Sequence, residues 1–151
     1  MRRKEREITK ESDIEAIIKR SLVCRLGLSD GDKPYVVPLC FGYKDKALYF
    51  HGAYEGRKMD ILKKNQMVCF EFDIDTEIIE AENPCHWSMK YLSVIVFGKA
   101  VFLESFDEKK KAIDIIMSQY SDREFQFTDI AIERTAVIKV EIERMTGKQS
   151  E

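Results

Sequence analysis

The segment His51-Gly52-Ala53-Tyr54-Glu55-Gly56-Arg57-Lys58 holds the densest set of groups able to do chemistry, at the junction of a predicted strand end and a predicted helix start. Its two glycines permit close backbone approach, Arg57 offers a planar fork and Lys58 a point charge. The helix that follows adds its positive N-terminal end. Together these suit a phosphate carrying about two negative charges. The competing reading is a solvated helix start with two incidental cations. His51, sharing a strand face with Tyr49, reads either as a hydrogen-bonded structural residue or as an acid or base. Trp87 and Tyr91 read equally as core anchors or as a stacking platform for a planar ligand.

Other chemistries find little support. Neither GxGxxG nor GxxxxGK[ST] occurs, so the standard backbone cradles for dinucleotides and triphosphates are missing. The chain has 2 histidines and no nucleophile elbow around a serine, which argues against triad catalysis. Cys85-His86 with the distant His51 is too thin for zinc, and no metal site is expected. Cys24, Cys40, Cys69 and Cys85 form no CxxC pair, and three of them sit in apolar runs. Reduced, mostly buried thiols are expected.

The elements that must position these groups follow from patterning. Ser12-Asp13-Ile14-Glu15 has the form of a capping box before a helix carrying Ile14, Ile17 and Ile18 on one face. Leu22, Cys24, Leu26 and Leu28 alternate as the buried face of a strand. After turn chemistry at 29–33, Pro34–Tyr43 reads as a second strand, which Pro38 places at an edge or bulge. Lys44-Asp45-Lys46 makes a hairpin into a strand at 47–51, and a helix runs from about Arg57 to Lys64, closed by Asn65. Val68, Phe70, Phe72 and Ile74 mark a strand at 67–74. The stretch 75–90 reads as a long loop or excursion. Tyr91–Glu104 is the longest strand, with Gly98 at a bulge or bend. Asp107 caps a helix bearing Ala112, Ile113, Ile116 and Tyr120, and Thr135–Glu143 is the last strand.

Six strands joined by hairpins and separated by helices, without regular βαβ alternation, argue against a parallel nucleotide-binding sheet and for a small, mostly antiparallel barrel with flanking helices. The length of 151 residues suits one domain over 1–151. A net charge of −2 provides no global field for nucleic acid or an anionic membrane, so an anion must be held locally. The charged start Met1–Glu7 leads towards a helix and not an apolar leader, and no apolar stretch is long enough to span a membrane. A cytoplasmic protein is expected.

Taken in order, Pro34–Tyr43, Ala47–Gly52, Gly56-Arg57-Lys58, Met67–Phe72, Tyr91–Gly98 and the closing Met145–Gln149 resemble the pyridoxamine 5′-phosphate oxidase-like, FMN-binding split-barrel superfamily, and within it the 5-nitroimidazole resistance branch of nitroimidazole reductase-like proteins. The resemblance implies a six-stranded antiparallel split β-barrel and a homodimer with FMN at the subunit interface. It implies that Arg57 and Lys58 grip the FMN phosphate and that Val36, Val37, Pro38 and Leu39 lie along the isoalloxazine ring. Phe50 and His51 match the strand end beside the ring, and Ser93 a polar position that contacts the flavin. The match departs from vitamin B6 oxidases near Tyr35, where they carry a basic residue, and at Leu92-Ser93-Val94-Ile95, where they carry Arg-Gln-Val-Arg.

The function implied is an FMN-dependent oxidoreductase that reduces 5-nitroimidazole-type nitroaromatics in two-electron steps, a route to antibiotic resistance, with His51 as proton or hydrogen-bond donor. The alternative is a flavin- or heme-binding protein of the same fold with little turnover, Trp87, Tyr91 and His51 lining a heme pocket.

Overall fold

A computed structural model describes residues 3–150. Eight strands form one antiparallel sheet: β1 (Glu7–Ile8), β2 (Cys24–Asp30), β3 (Lys33–Leu39), β4 (Gly42–Lys44), β5 (Ala47–Gly52), β6 (Met67–Ile79), β7 (Ser88–Leu103) and β8 (Ala136–Ser150). The spatial order is β3-β2-β6-β7-β8-β5-β4, with β1 added along the end of β8. Four α-helices accompany it: α1 (Glu11–Arg20), α2 (Arg57–Lys64), α3 (Phe106–Ser118) and α4 (Asp129–Glu133). The two edges, β3 and β4, do not pair with each other, yet Tyr35, Val37 and Leu39 of β3 and Tyr43 of β4 pack on the same core. The sheet therefore wraps one interior and stays open along one seam, which is the split barrel.

Alternation explains the interior. Leu26, Phe70, Phe72, Val94, Val96, Ile138 and Val140 point inwards and are almost wholly buried, and Phe41 meets Phe72 edge-on with ring centres 5.0 Å apart. Helix α1 seals one side with Ile14, Ile17 and Ile18, and α2 another with Met59, Ile61 and Leu62. The β4–β5 hairpin turns on Asp45 and Lys46, both at positive φ, the backbone twist a two-residue hairpin requires.

The strand number exceeds the expected six by two short pieces. Glu7–Ile8 pairs with β8, and Pro34–Tyr43 divides into β3 and β4 because Phe41 turns fully into the core and gives its N–H to the Tyr120 hydroxyl at 2.9 Å. Pro38 lies on an edge strand, as its missing N–H requires. The stretch 75–90 is a loop only over 80–87, which includes a 3-10 turn at Pro84–His86: on either side β6 and β7 continue as a two-stranded arm beyond a bulge in which Asp75 and Thr76 oppose Tyr91. That bulge breaks the alternation, which is why the pattern fails there. Asp75, at φ 55°, accepts two hydrogen bonds from Arg20 at 2.7 and 2.8 Å.

Strand β8 likewise runs on to Ser150, because Glu143 is an extra residue between the pairs Phe97–Arg144 and Gly98–Ile142. The Met145–Gln149 ending is thus a strand against β7. Gly98 sits at that bulge, where any Cβ would strike the Glu141 carbonyl.

Several local expectations are corrected. The Ser12 box does not form: α1 starts two residues earlier with Lys10 as its N-cap, and Glu15 accepts instead from the Tyr43 hydroxyl at 2.7 Å. Ser105, not Asp107, caps α3, and Tyr120 lies beyond its end. Leu22 is exposed outside β2. Lys4–Arg6 make a single 3-10 turn, while Met1, Arg2 and Glu151 lie outside the described residues. All four cysteines are free, but Cys24 alone is buried, with Cys69 partly covered and Cys40 and Cys85 exposed. No helix among the described residues is long and apolar enough to cross a membrane.

Candidate functional site

Strand β5 ends beside the open seam. Phe50 is fully buried there, and the next residue, His51, faces outwards opposite Val137 of β8. The chain then passes through Gly52, where a Cβ would lie 2.9 Å from the Met59 methyl and 3.4 Å from the Lys58 ammonium. No larger residue fits without displacing them. At Gly56, φ is 113°, a left-handed conformation that favours glycine, and the space above it is open. Helix α2 begins at Arg57 with Gly56 as N-cap and no side chain capping it, so its first N–H groups stay available.

Two cations stand at this uncapped end. The Lys58 ammonium lies 5.6 Å from the centre of the Phe50 ring and the Arg57 guanidinium 4.5 Å from that of Tyr35. Neither makes an ion pair with a carboxylate among the described residues. Burial lowers the Lys58 pKa from its ordinary value, slightly offset by the Cys24 thiol. Burial, and then the Lys58 charge, lowers that of His51. A concentration of positive charge with no counter-charge, aimed by a helix N-terminus at open space, is what a phosphate dianion would relieve.

Strand β3 forms the other side of the seam and pairs on one side alone, with β2. Its second edge leaves backbone N–H and C=O groups unpaired between Val36 and Leu39, apart from Pro38, which has no N–H. Val37 and Leu39 turn inwards, half-buried, while Val36 and Pro38 turn outwards and are exposed. The edge of a planar heteroaromatic ring can hydrogen-bond to such a strand while its phosphate reaches Arg57 and Lys58.

Ser93 stands apart. It belongs to β7, paired with Asp73 and Lys148, three strands from β3 and so about 14 Å from that edge. It shares the outer face of the sheet with Val36 and Pro38. On the row between them, register aligns Pro38, Arg25, Glu71, Ile95 and Thr146. Arg25 pairs there with Asp73 and, at 3.4 Å, with Glu71, whose pKa is raised by burial and by the Asp73 charge. The structure thus joins Phe50, His51, Arg57 and Lys58 at the β3 edge and leaves Ser93 outside that group.

Sequence reasoning missed Tyr35 as the seat of Arg57. Its place in the Tyr35-Val37-Leu39 alternation was the available signal. Trp87 and Tyr91 are not core anchors: Trp87 is on the arm, exposed, with its indole N–H given to the Ala81 carbonyl at 2.7 Å. A cleft of about 550 Å³ lies elsewhere, between α3 and strands β4, β5 and β8. It sets Lys44, Lys111 and Lys139 against Asp45, Glu108 and Asp114, a balanced lining with no field for an anion, and includes neither His51 nor Lys58. No group of three metal-binding side chains occurs among the described residues.

Comparison with known proteins bears on the family and the fold. The family model of pyridoxamine 5′-phosphate oxidase matches residues 10–149. A crystal structure from Bacteroides thetaiotaomicron, of a candidate 5-nitroimidazole antibiotic resistance protein, is 36% identical, with a TM-score of 0.86 over 96% of this chain and 90% of that one. The flavocytochrome Anf3 of Azotobacter vinelandii shares the fold at 19% identity and TM-score 0.87, covering 100% of this chain and 72% of its own. The FAD and heme binding protein of Mycobacterium smegmatis does so at 16% and 0.88, covering 97% and 74%. No curated protein matches the chain.

Proposed function

The chain belongs to the pyridoxamine 5′-phosphate oxidase family, and from that premise we propose that it is a single-domain, FMN-dependent oxidoreductase that reduces 5-nitroimidazole-type nitroaromatics. The observation that carries this reading is the pair of uncompensated cations, Arg57 and Lys58, at the uncapped start of α2 and beside the free edge of β3. A flavin mononucleotide fits both halves: its phosphate meets the cations and its ring edge the backbone of Val36–Leu39. The 36% identity to the Bacteroides protein supports the nitroimidazole assignment.

When bound, FMN supplies electrons two at a time, which avoids a nitro radical. The protein supplies position and protons. Arg57 and Lys58 hold the phosphate, Phe50 and the inward side chains of β3 keep water from one side, and His51 stands at the open side, where a nitro oxygen needs a proton. Each two-electron reduction of the nitro group consumes two protons, the first step releasing water and leaving a nitroso group, the next leaving a hydroxylamine. His51 donates one of these as imidazolium, or a hydrogen bond as neutral imidazole.

Two copies are proposed to form the working unit. The surface of 9841 Å² exceeds by about 1,900 Å² what a compact monomer of 17.7 kDa exposes. Among the exposed apolar residues, Val36, Met67, Ile78, Trp87, Met89 and Ile95 lie on the outer sheet face and the arm. Covering this face with a second copy would bury these apolar side chains and place the β3 edge near the interface. Four free thiols accord with a reducing, cytoplasmic setting.

The test is anaerobic. FMN-loaded protein reduced with dithionite and freed of excess reductant is mixed with a 5-nitroimidazole. Loss of the nitro absorption with reoxidation of the flavin is expected, and an unchanged drug with the flavin still reduced defeats the substrate assignment. The spectrum of the purified holoprotein separates FMN from heme, since an intense Soret band would establish the latter.

A further inference from the structure

Lys109 of α3 is 3% exposed and has no carboxylate partner among the described residues. Burying an ammonium is costly, and it persists where its protons are accepted. Two acceptors are present. Its Nζ donates to the Tyr54 hydroxyl at 2.9 Å and to the Glu133 carbonyl at 2.9 Å, and the Tyr54 hydroxyl donates in turn to the same carbonyl at 3.2 Å. The ammonium also stands 5.4 Å from the centre of the Tyr54 ring. Glu133 is the last residue of α4, whose carbonyl end favours a cation.

Tyr54 lies within the Gly52–Gly56 connection that ends at the two cations, and it is the one large side chain there. Its own carbonyl accepts from Lys63 of α2 at 3.5 Å. Gly52 is held in the ladder opposite Ala136 and Gly56 caps α2, and the residues between them are exposed, so Tyr54 is the side chain that ties this connection to α3 and α4. We propose that Lys109 is a positioning residue for the anion site: through Tyr54 it fastens the 52–56 connection to α3 and α4, and so sets where Arg57, Lys58 and the first N–H groups of α2 meet a phosphate. This rests on the reading of that site as the FMN phosphate site. An exposed connection tied to the helices through one tyrosine loses its fixed course when the tyrosine is released, and an ordered binding site then has to be rebuilt at each binding event.

The experiment compares FMN with riboflavin, which lacks the phosphate, by fluorescence titration of wild type, Lys109→Met, Tyr54→Phe and the double variant. For Lys109→Met, FMN affinity is expected to fall about tenfold or more while riboflavin affinity changes less than about twofold. Tyr54→Phe, at a half-exposed ring and so safe for folding, moves the same ratio in the same direction, and the double variant loses no more than Lys109→Met alone. If FMN and riboflavin affinities fall together, or neither falls, or the two losses add, Lys109 serves general stability and the proposal is overturned. If wild type binds riboflavin as tightly as FMN, the phosphate reading itself fails, and with it this inference; that outcome is visible before any variant is made.

Discussion

The guanidinium of Arg57 lies 4.5 Å from the centre of the Tyr35 ring, joining the first residue of α2 to the edge strand of the sheet. Cation–π contact at a partly exposed ring is worth about 0.5–1 kcal/mol, too little to fix a fold. Its consequence is geometric: the uncapped start of α2 and the edge strand β3 are held at one distance across the open seam.

Replacing Arg57 and Lys58 together with alanine should weaken FMN binding by several kcal/mol. Charge-assisted contacts contribute about 1.5–3 kcal/mol each, the exposed Arg57 towards the lower end. Riboflavin affinity should be nearly unchanged. Fluorescence titration with both ligands checks this, and an unchanged FMN affinity would place the phosphate elsewhere.

His51 should govern turnover more than affinity. Burial and the Lys58 charge hold its pKa below the ordinary value of about 6.5, so the imidazole is neutral at pH 7. If imidazolium is the proton donor, turnover rises as pH falls through this lowered pKa, and His51→Gln loses that rise. Folding stability moves the other way. Below about 6.5 the unfolded chain takes up a proton that the folded chain resists, so the His51 contribution is present at neutral pH and lost on acidification. Rate and urea-denaturation profiles against pH, for wild type and His51→Gln, separate the two effects.

Gly42→Ala should destabilise the fold by about 1–3 kcal/mol. A Cβ at this position would stand 2.7 Å from the backbone of Ile115 and Ile116, so α3 must move off β4. A lower urea midpoint with an unchanged slope is the expected result.

Ile95→Arg should yield monomers that bind FMN weakly. Ile95 is 40% exposed in the middle of the outer sheet face, on the register row of Pro38 and Arg25. A charge there opposes burial against a second copy. Sedimentation velocity reads the assembly state, and a dimer that survives with full FMN affinity would move the interface off this face.

Much of this was legible along the chain. The alternation Val68-Phe70-Phe72 and the inward residues Cys24, Leu26 and Leu28 of β2 named part of the core, because a strand buried on one face must repeat every second residue. The boundaries of α2 and the edge position of Pro38 were equally readable, since a missing N–H is a local fact. What escaped was disturbed by residues whose partners are remote. Asp75 and Glu143 each insert one residue into a strand, so the pattern slips a register and strand resembles loop. Glu15 left its capping role for Tyr43, 28 residues away.

For the site, the amino-acid sequence by itself determined the chemistry available: two adjacent cations, two glycines and a histidine at one strand-to-helix junction. Tertiary structure alone decided which groups share a place. It put Tyr35 under Arg57, left Ser93 three strands away, and buried Lys109 beneath Tyr54. Residue types and spacing follow the chain, whereas charge, burial and distance depend on strand register and helix packing, which are settled across the whole sheet at once.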